Sequence, residues 1–294
     1  MATSAQVTLG TPIAERTACV LHLWHLLSLD APTVAALWTY FVARTTHVPL
    51  PPASASSMFV AVWMLYAADR ILDSRPLSSN SLDMRDLEAR HLFHHRHRMV
   101  FLSGILACSL LLATLLPHLA PEALRLYAIL AALLSGWLLM IHGRPSSAHR
   151  LPKELAVGIF FPAAIFVPTV ARHPDLRLSL LPHALLFAAV CSLNCLCIYA
   201  WEHPQPYIWA HWTTRLSTRH LRTLACIIVL TGVAFTALSC TAGSPLWALS
   251  CAASISALSL LLLDRAQHRL SPVTLRASAD LALLTPLLLL ALHR

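Results

Sequence analysis

Long apolar stretches separated by short polar ones run the whole length of the chain, and the apolar stretches have membrane length. A helix needs roughly 20 consecutive apolar residues to cross a bilayer. Nine stretches meet that length, at about 20–44, 55–73, 99–118, 122–142, 153–171, 179–201, 221–241, 246–264 and 275–292. Asp30 and Pro32 interrupt the first and predict a kink there, because a proline inside a helix removes a backbone hydrogen bond. Pro117 with Pro121, Pro168 with Pro174, and Gly243 with Pro245 predict tight turns between neighbours. The pattern therefore predicts an all-α polytopic bundle of about nine transmembrane helices. It forms a single transmembrane domain over 1–294, since no polar stretch is long enough to fold separately.

Composition agrees with that reading. Of 294 residues, 57% are hydrophobic and 12% charged, with a mean hydropathy of +0.66. A soluble domain carries about 25% charged residues. The net charge of +8 comes from 20 Arg and one Lys, almost all in loops. In a membrane protein such charge sets topology and attracts anionic lipid, and it is not read as nucleic-acid binding. Counted with four residues of the stretch on either side, the loops after the second, fourth, sixth and eighth stretches hold fifteen Arg and Lys, against four in the others. By the positive-inside rule the first group and the N-terminus are cytoplasmic. The opening MATSAQVTLGTPIAERTA has no basic region followed by an apolar core, so no signal peptide is expected. An Arg-rich, Lys-poor composition suggests a bacterial inner (plasma) membrane. The two long polar segments, 70–98 and 202–222, are both cytoplasmic, which points to function between the ends of the second and sixth spans.

Two constellations stand there. The first is Leu65-x3-Asp69-x3-Asp73, with Arg70 beside it and Tyr66 preceding. Four residues of helix rise about 6 Å, so both carboxylates share a face. Charge at the edge of a bilayer is costly and marks ion or substrate sites. The second is Asn194-x3-Ile198-x3-Glu202, with Tyr199 beside it. Oxygen ligands at this spacing suit Mg²⁺ together with substrate phosphates.

Nine spans, with a carboxylate motif ending the second and a polar motif ending the sixth, resemble the UbiA superfamily of intramembrane prenyltransferases. Asp69 and Asp73 match the last two acids of its first signature, with Leu65 at the leading Asn. Asn194 and Glu202 stand at outer positions of its second signature, with Ile198 in place of the central acid. Lys153, in LPKELAVG, resembles the basic residue that helps hold diphosphate. The resemblance implies a Mg²⁺-dependent prenyltransferase moving an isoprenoid from its diphosphate to a lipid-soluble acceptor. Asp69, Asp73 and Lys153 would be catalytic; Asp69, Asp73 and Glu202 would hold metal; Arg70, Tyr66, Asn194 and Tyr199 would bind substrate. Because the second motif keeps one carboxylate, two alternatives stand beside it: a non-catalytic isoprenoid- or lipid-binding protein with a UbiA-like bundle, and an intramembrane terpene cyclase of the same superfamily.

The remaining polar residues carry weaker patterns. His91, His94, His95 and His97, near Glu88, predict a cationic lid meeting headgroups or diphosphate more than a metal centre. Cys191, Cys195 and Cys197 lie in an apolar stretch without histidine at zinc spacing and read as small hydrophobes. Asp30 and Asp280 are lone acids inside apolar spans, candidates for pairing with Arg, capping a broken helix or meeting substrate. No internal repeat is evident, which argues against a secondary transporter.

Overall fold

The computed structural model describes residues 23–24, 26–73, 96–142, 153–203 and 211–292, and among them there is helix and no strand. The helices are α1 (Asp30–Thr45), α2 (Pro52–Asp73), α3 (Arg98–Leu115), α4 (Pro121–His142), α5 (Lys153–Arg172), α6 (Arg177–Glu202), α7 (Trp212–Arg219), α8 (Leu221–Thr241), α9 (Trp247–Ala266), α10 (Pro272–Leu281) and α11 (Pro286–Leu292).

Four segments among the described residues are long and apolar enough to cross a membrane: Arg98–His118, Pro174–Glu202, Leu221–Thr241 and Trp247–Arg269. Two of them, those of α3 and α8, combine mean hydropathies of 2.4 and 2.2 with only 6% and 11% of their residues buried in the protein. A helix apolar on all sides yet uncovered by protein needs lipid around it. Leu106, Leu110 and Leu230, each about two-thirds exposed, lie on these surfaces. The chain is a helical membrane protein.

The core lies where α1, α5, α6 and α9 meet, and α2, α8, α10 and α11 pack around it. Trp38, Phe41, Ile165, Phe187 and Leu260 are fully buried there. The Trp38 and Phe187 rings stack with centroids 3.8 Å apart. Small residues bring helices together where no hydrophobic effect can drive association. A Cβ built on Gly158 of α5 would lie 1.8 Å from Ser192 Oγ and 2.9 Å from Ser192 Cβ of α6. At Gly232 of α8 it would lie 2.1 Å from Ser254 Oγ of α9.

Three expectations are corrected. The first stretch does not kink at Asp30 and Pro32; a helix begins there. Ser28 has φ +54°, a left-handed conformation that ends the preceding turn. Asp30 Oδ1 then accepts from Ala31 N at 3.0 Å, and Pro32 sits in a first turn where its missing N–H costs nothing. The last stretch is two helices, α10 and α11, because Pro286 can start a helix but not continue one. Pro168 lies inside α5 and makes no turn. Its ring leaves the Ala164 carbonyl without the usual amide, and Tyr127 Oη from α4 donates to that oxygen at 3.2 Å. Gly243, by contrast, is the expected turn between α8 and α9, with φ +62° and its N–H on Cys240 O at 3.1 Å.

Backbone freed by the two breaks must be satisfied inside the protein, since lipid offers no partners. Trp63 Nε1 of α2 donates to Leu27 O at 3.1 Å, and Trp38 Nε1 of α1 donates to Leu283 O at 2.8 Å. Thr285 Oγ1, from the second break, donates to Ala252 O inside α9 at 2.9 Å and ties the break to that helix. A hydroxyl has one proton, so in the 2.8 Å Ser256–Thr285 contact Ser256 is the donor.

Candidate functional site: a buried polar cluster at two helix breaks

The two breaks fall beside the acids that the sequence left single. Asp30 opens α1, and Asp280 sits in the last turn of α10. Their side chains are hydrogen-bonded to each other. Asn194 Nδ2 of α6 donates to Asp280 Oδ1 at 3.2 Å. Asp30 is 3% exposed and Asn194 6%. The lone acids are therefore one carboxyl pair, built by α1 and α10 and held by α6.

α2 contributes the next side chains. Tyr66 and Arg70, four residues apart, share one helix face; Tyr66 lies within charge range of both acids and Arg70 of Asp30. Tyr66 packs against the core, and Arg70 is 8% exposed. Cys195 lies beside Tyr66. Arg276, one turn before Asp280 on α10, is near Arg70 and pairs with Glu202 at the end of α6. Arg70 Nε and Asn194 Oδ1 are buried without a hydrogen-bond partner among the described residues.

The expected residues are thus divided. Tyr66, Arg70 and Asn194 meet in the cluster, and Glu202 reaches its rim through Arg276. Leu65 and Asp69 lie on an exposed line of α2 instead. Tyr199 is half-buried and stacks on His203, centroids 4.5 Å apart. Ile198, at the central acid's position, packs on the core. The side chains of Asp73 and Lys153, and residues 83–95 with Glu88, His91, His94 and His95, lie outside the described residues. Arg276 was missed although Arg276-x3-Asp280 repeats the four-residue spacing of the first motif. Asp264 was also missed: 6% exposed, it accepts from Trp201 Nε1 at 3.2 Å and Arg222 Nε at 2.8 Å, tying together the neighbouring ends of α6, α8 and α9.

The described carboxylates do not by themselves build a Mg²⁺ site. Among the described residues no three His, Cys, Asp or Glu side chains converge, Glu202 is occupied by Arg276, and the Asp30–Asp280 pair is bonded to itself. An apolar groove of about 390 Å³ runs between α6 and α8, lined by Leu181, Leu185, Ile227 and Phe235.

Fold and site together define a helical membrane protein with a buried, charged cluster that joins its first, second, sixth and last apolar stretches. No protein-family model, curated protein or solved structure matches the chain.

Proposed function

We propose that the protein is an intramembrane enzyme of isoprenoid chemistry. On this reading it is a divergent UbiA-like prenyltransferase of about nine spans, in a bacterial inner membrane with its N-terminus cytoplasmic. It transfers a prenyl group from its diphosphate to a lipid-soluble acceptor. The observation that supports this most is the approach of two guanidiniums. Arg70 and Arg276 lie near enough to repel, and Arg70 Nε, though buried, has no acceptor among the described residues. An anion between them offsets that repulsion, and a planar guanidinium suits phosphate oxygens.

The chemistry follows from where charge develops. As the allylic C–O bond breaks, negative charge grows on the diphosphate, and N–H donors already aimed at it stabilise the transition state. The apolar walls around Tyr66 keep water from the carbocation. The groove between α6 and α8 gives the prenyl tail a lipid-side resting place. Because the described carboxylates do not assemble a metal site, no step is assigned to Mg²⁺.

Detergent-purified protein is to be assayed for diphosphate release from geranyl, farnesyl and geranylgeranyl diphosphate, with Mg²⁺ and with chelator. Arg70→Gln is expected to slow release on the order of 10²-fold, the usual cost of losing one such donor. Asp69→Asn separates the two ways of holding the leaving group, since it abolishes release only if metal on that face is required. A second reading, a non-catalytic lipid-binding bundle, is favoured by the capture of Glu202 by Arg276. Absence of release from every donor by folded protein refutes the enzyme and leaves that reading.

A further inference from the structure

α7 faces the opposite way from a short amphipathic helix in water. Trp212, Arg215, Leu216 and Arg219 recur at the spacing of one helix face, and the hydroxyls of Thr213, Thr214, Ser217 and Thr218 take the rest. In water the hydroxyl side would be the outer one. Here Thr214 is 4% exposed, whereas Trp212 and Leu216 are 62% and 51% exposed, with both arginines exposed beside them. The hydroxyl side is turned toward α6 and α8, against which α7 packs. It needs no water there, as Thr218 Oγ1 shows by donating to the Thr214 carbonyl at 2.9 Å.

What lies beyond the outer face follows from the next helix. α8 begins at Leu221, one residue after α7 ends, and it opens the apolar segment that is only 11% buried in protein and has lipid around it. α7 therefore sits at the level where that segment leaves the bilayer. An outward Trp and Leu at this level lie against the boundary between headgroups and acyl chains.

Charge then selects the lipid. Between Glu202 and Asp264 the chain has no carboxylate, and both of these acids are engaged, Glu202 by Arg276 and Asp264 by Arg222. Arg215 and Arg219 have no acidic partner among the described residues. Two guanidiniums one turn apart, bordering apolar side chains, match a phosphate with acyl chains attached. A zwitterionic headgroup offers that phosphate with a cancelling ammonium, and an anionic one offers it uncancelled. A soluble phosphate would meet the arginines but leave Trp212 and Leu216 uncovered.

We propose that α7 is an interfacial docking helix for anionic phospholipid: Trp212 and Leu216 enter the acyl boundary, and Arg215 and Arg219 hold the headgroup phosphate. This goes beyond the prenyl-transfer reading and holds whether or not the protein ionises a diphosphate.

The test uses the full chain in nanodiscs and reads the fluorescence of Trp212 as the difference between wild type and Trp212→Phe. The probes are phosphatidylglycerol and phosphatidylcholine, each brominated near the headgroup end of its chains. Both should quench Trp212, and the glycerol lipid should do so at a mole fraction lower by on the order of tenfold, since each arginine near the surface adds to the attraction. Arg215→Gln with Arg219→Gln should bring the two lipids level while quenching persists. Lysine at both positions, which keeps the charge, should retain most of the preference. Excess inorganic diphosphate should leave it unchanged. Quenching by neither lipid overturns the interfacial placement of α7. Equal quenching of wild type by both lipids, or a preference that survives the glutamine pair, overturns the headgroup site. A preference abolished by inorganic diphosphate makes soluble phosphate the ligand and overturns the lipid.

Discussion

Trp38 does two jobs at the core, and replacing it with phenylalanine removes one of them. The indole is 1% exposed and stacks on Phe187, while its N–H is the 2.8 Å partner of the Leu283 carbonyl in the break between α10 and α11. Trp38→Phe keeps an aromatic ring and deletes the donor. Interhelical hydrogen bonds in membranes are worth about 0.6–1.7 kcal/mol, and a buried carbonyl left without a partner costs about 1–3 kcal/mol. These are two measures of one loss, and the missing ring atoms add about 1 kcal/mol. The expected destabilisation is about 2–3 kcal/mol, read from the shift of a reversible detergent-to-dodecyl-sulfate unfolding titration. Phe187→Leu, which spoils the stack and spares the donor, serves as control. Amide exchange at residues 284 and 285 should quicken in Trp38→Phe and not in Phe187→Leu. A Trp38→Phe protein within about 0.5 kcal/mol of wild type, or with unchanged exchange at the break, refutes the claim that indole donors hold the breaks.

Four further outcomes are expected. Gly158→Ala should destabilise more than Gly232→Ala, since the first meets an immovable Ser192 Cβ and the second a hydroxyl that can rotate; about 1–3 against less than about 1 kcal/mol is anticipated, from the same titration. Leu230→Arg touches nothing inside the protein, yet on a lipid face it should cost about 2.5–3.5 kcal/mol at the helix centre and reduce the membrane-inserted fraction; normal insertion contradicts the assignment of α8 to the periphery. Asp264→Leu strands Trp201 Nε1 and should lower the melting temperature, with Trp201→Phe in the same background adding little. Tyr127→Phe should loosen α4 from α5 by about 0.6–1.7 kcal/mol through the Ala164 carbonyl, and an unchanged Tm counts against that contact.

Hydropathy located the stretches because the signal is carried by roughly twenty residues at a time, and α2, α5, α6 and α8 begin and end within a few residues of the stretches they occupy. Which side of each helix faces the core was not legible. In water the outside of a helix is polar and betrays itself; in lipid it is as apolar as the inside. On α2 the acids suggested the line Leu65–Asp69–Asp73, whereas the interior line is Tyr66–Arg70, next to Ala67 and Ile71 at 0% and 5% exposure. The Asp30–Asp280 bond was illegible for another reason. It closes α1 against α10 across 250 residues, and no periodicity within one helix reports on such a closure. Pro286 lies at the second break, yet hydropathy ran one stretch through 275–292, and nothing in the local sequence marks Ser28 as left-handed.

The two breaks are costly features to keep. Each frees carbonyls in a medium that offers no partner, and the chain commits Trp63 and Trp38 to them, while Thr285 and Ser256 tie the second break to α9. Unbroken helices would satisfy those groups without any side chain. A structural latch between helices needs no such arrangement, as Asp264 shows by tying the ends of α6, α8 and α9 from an intact helix. Breaks that bring a carboxyl pair, two guanidiniums and an amide to one buried place are arranged instead for what that place holds. Non-helical backbone at membrane depth is tolerated where it is enclosed by protein or lines a site. The inner faces of α1 and α10, more than the acid-rich face of α2, are therefore where substitutions should separate function from stability.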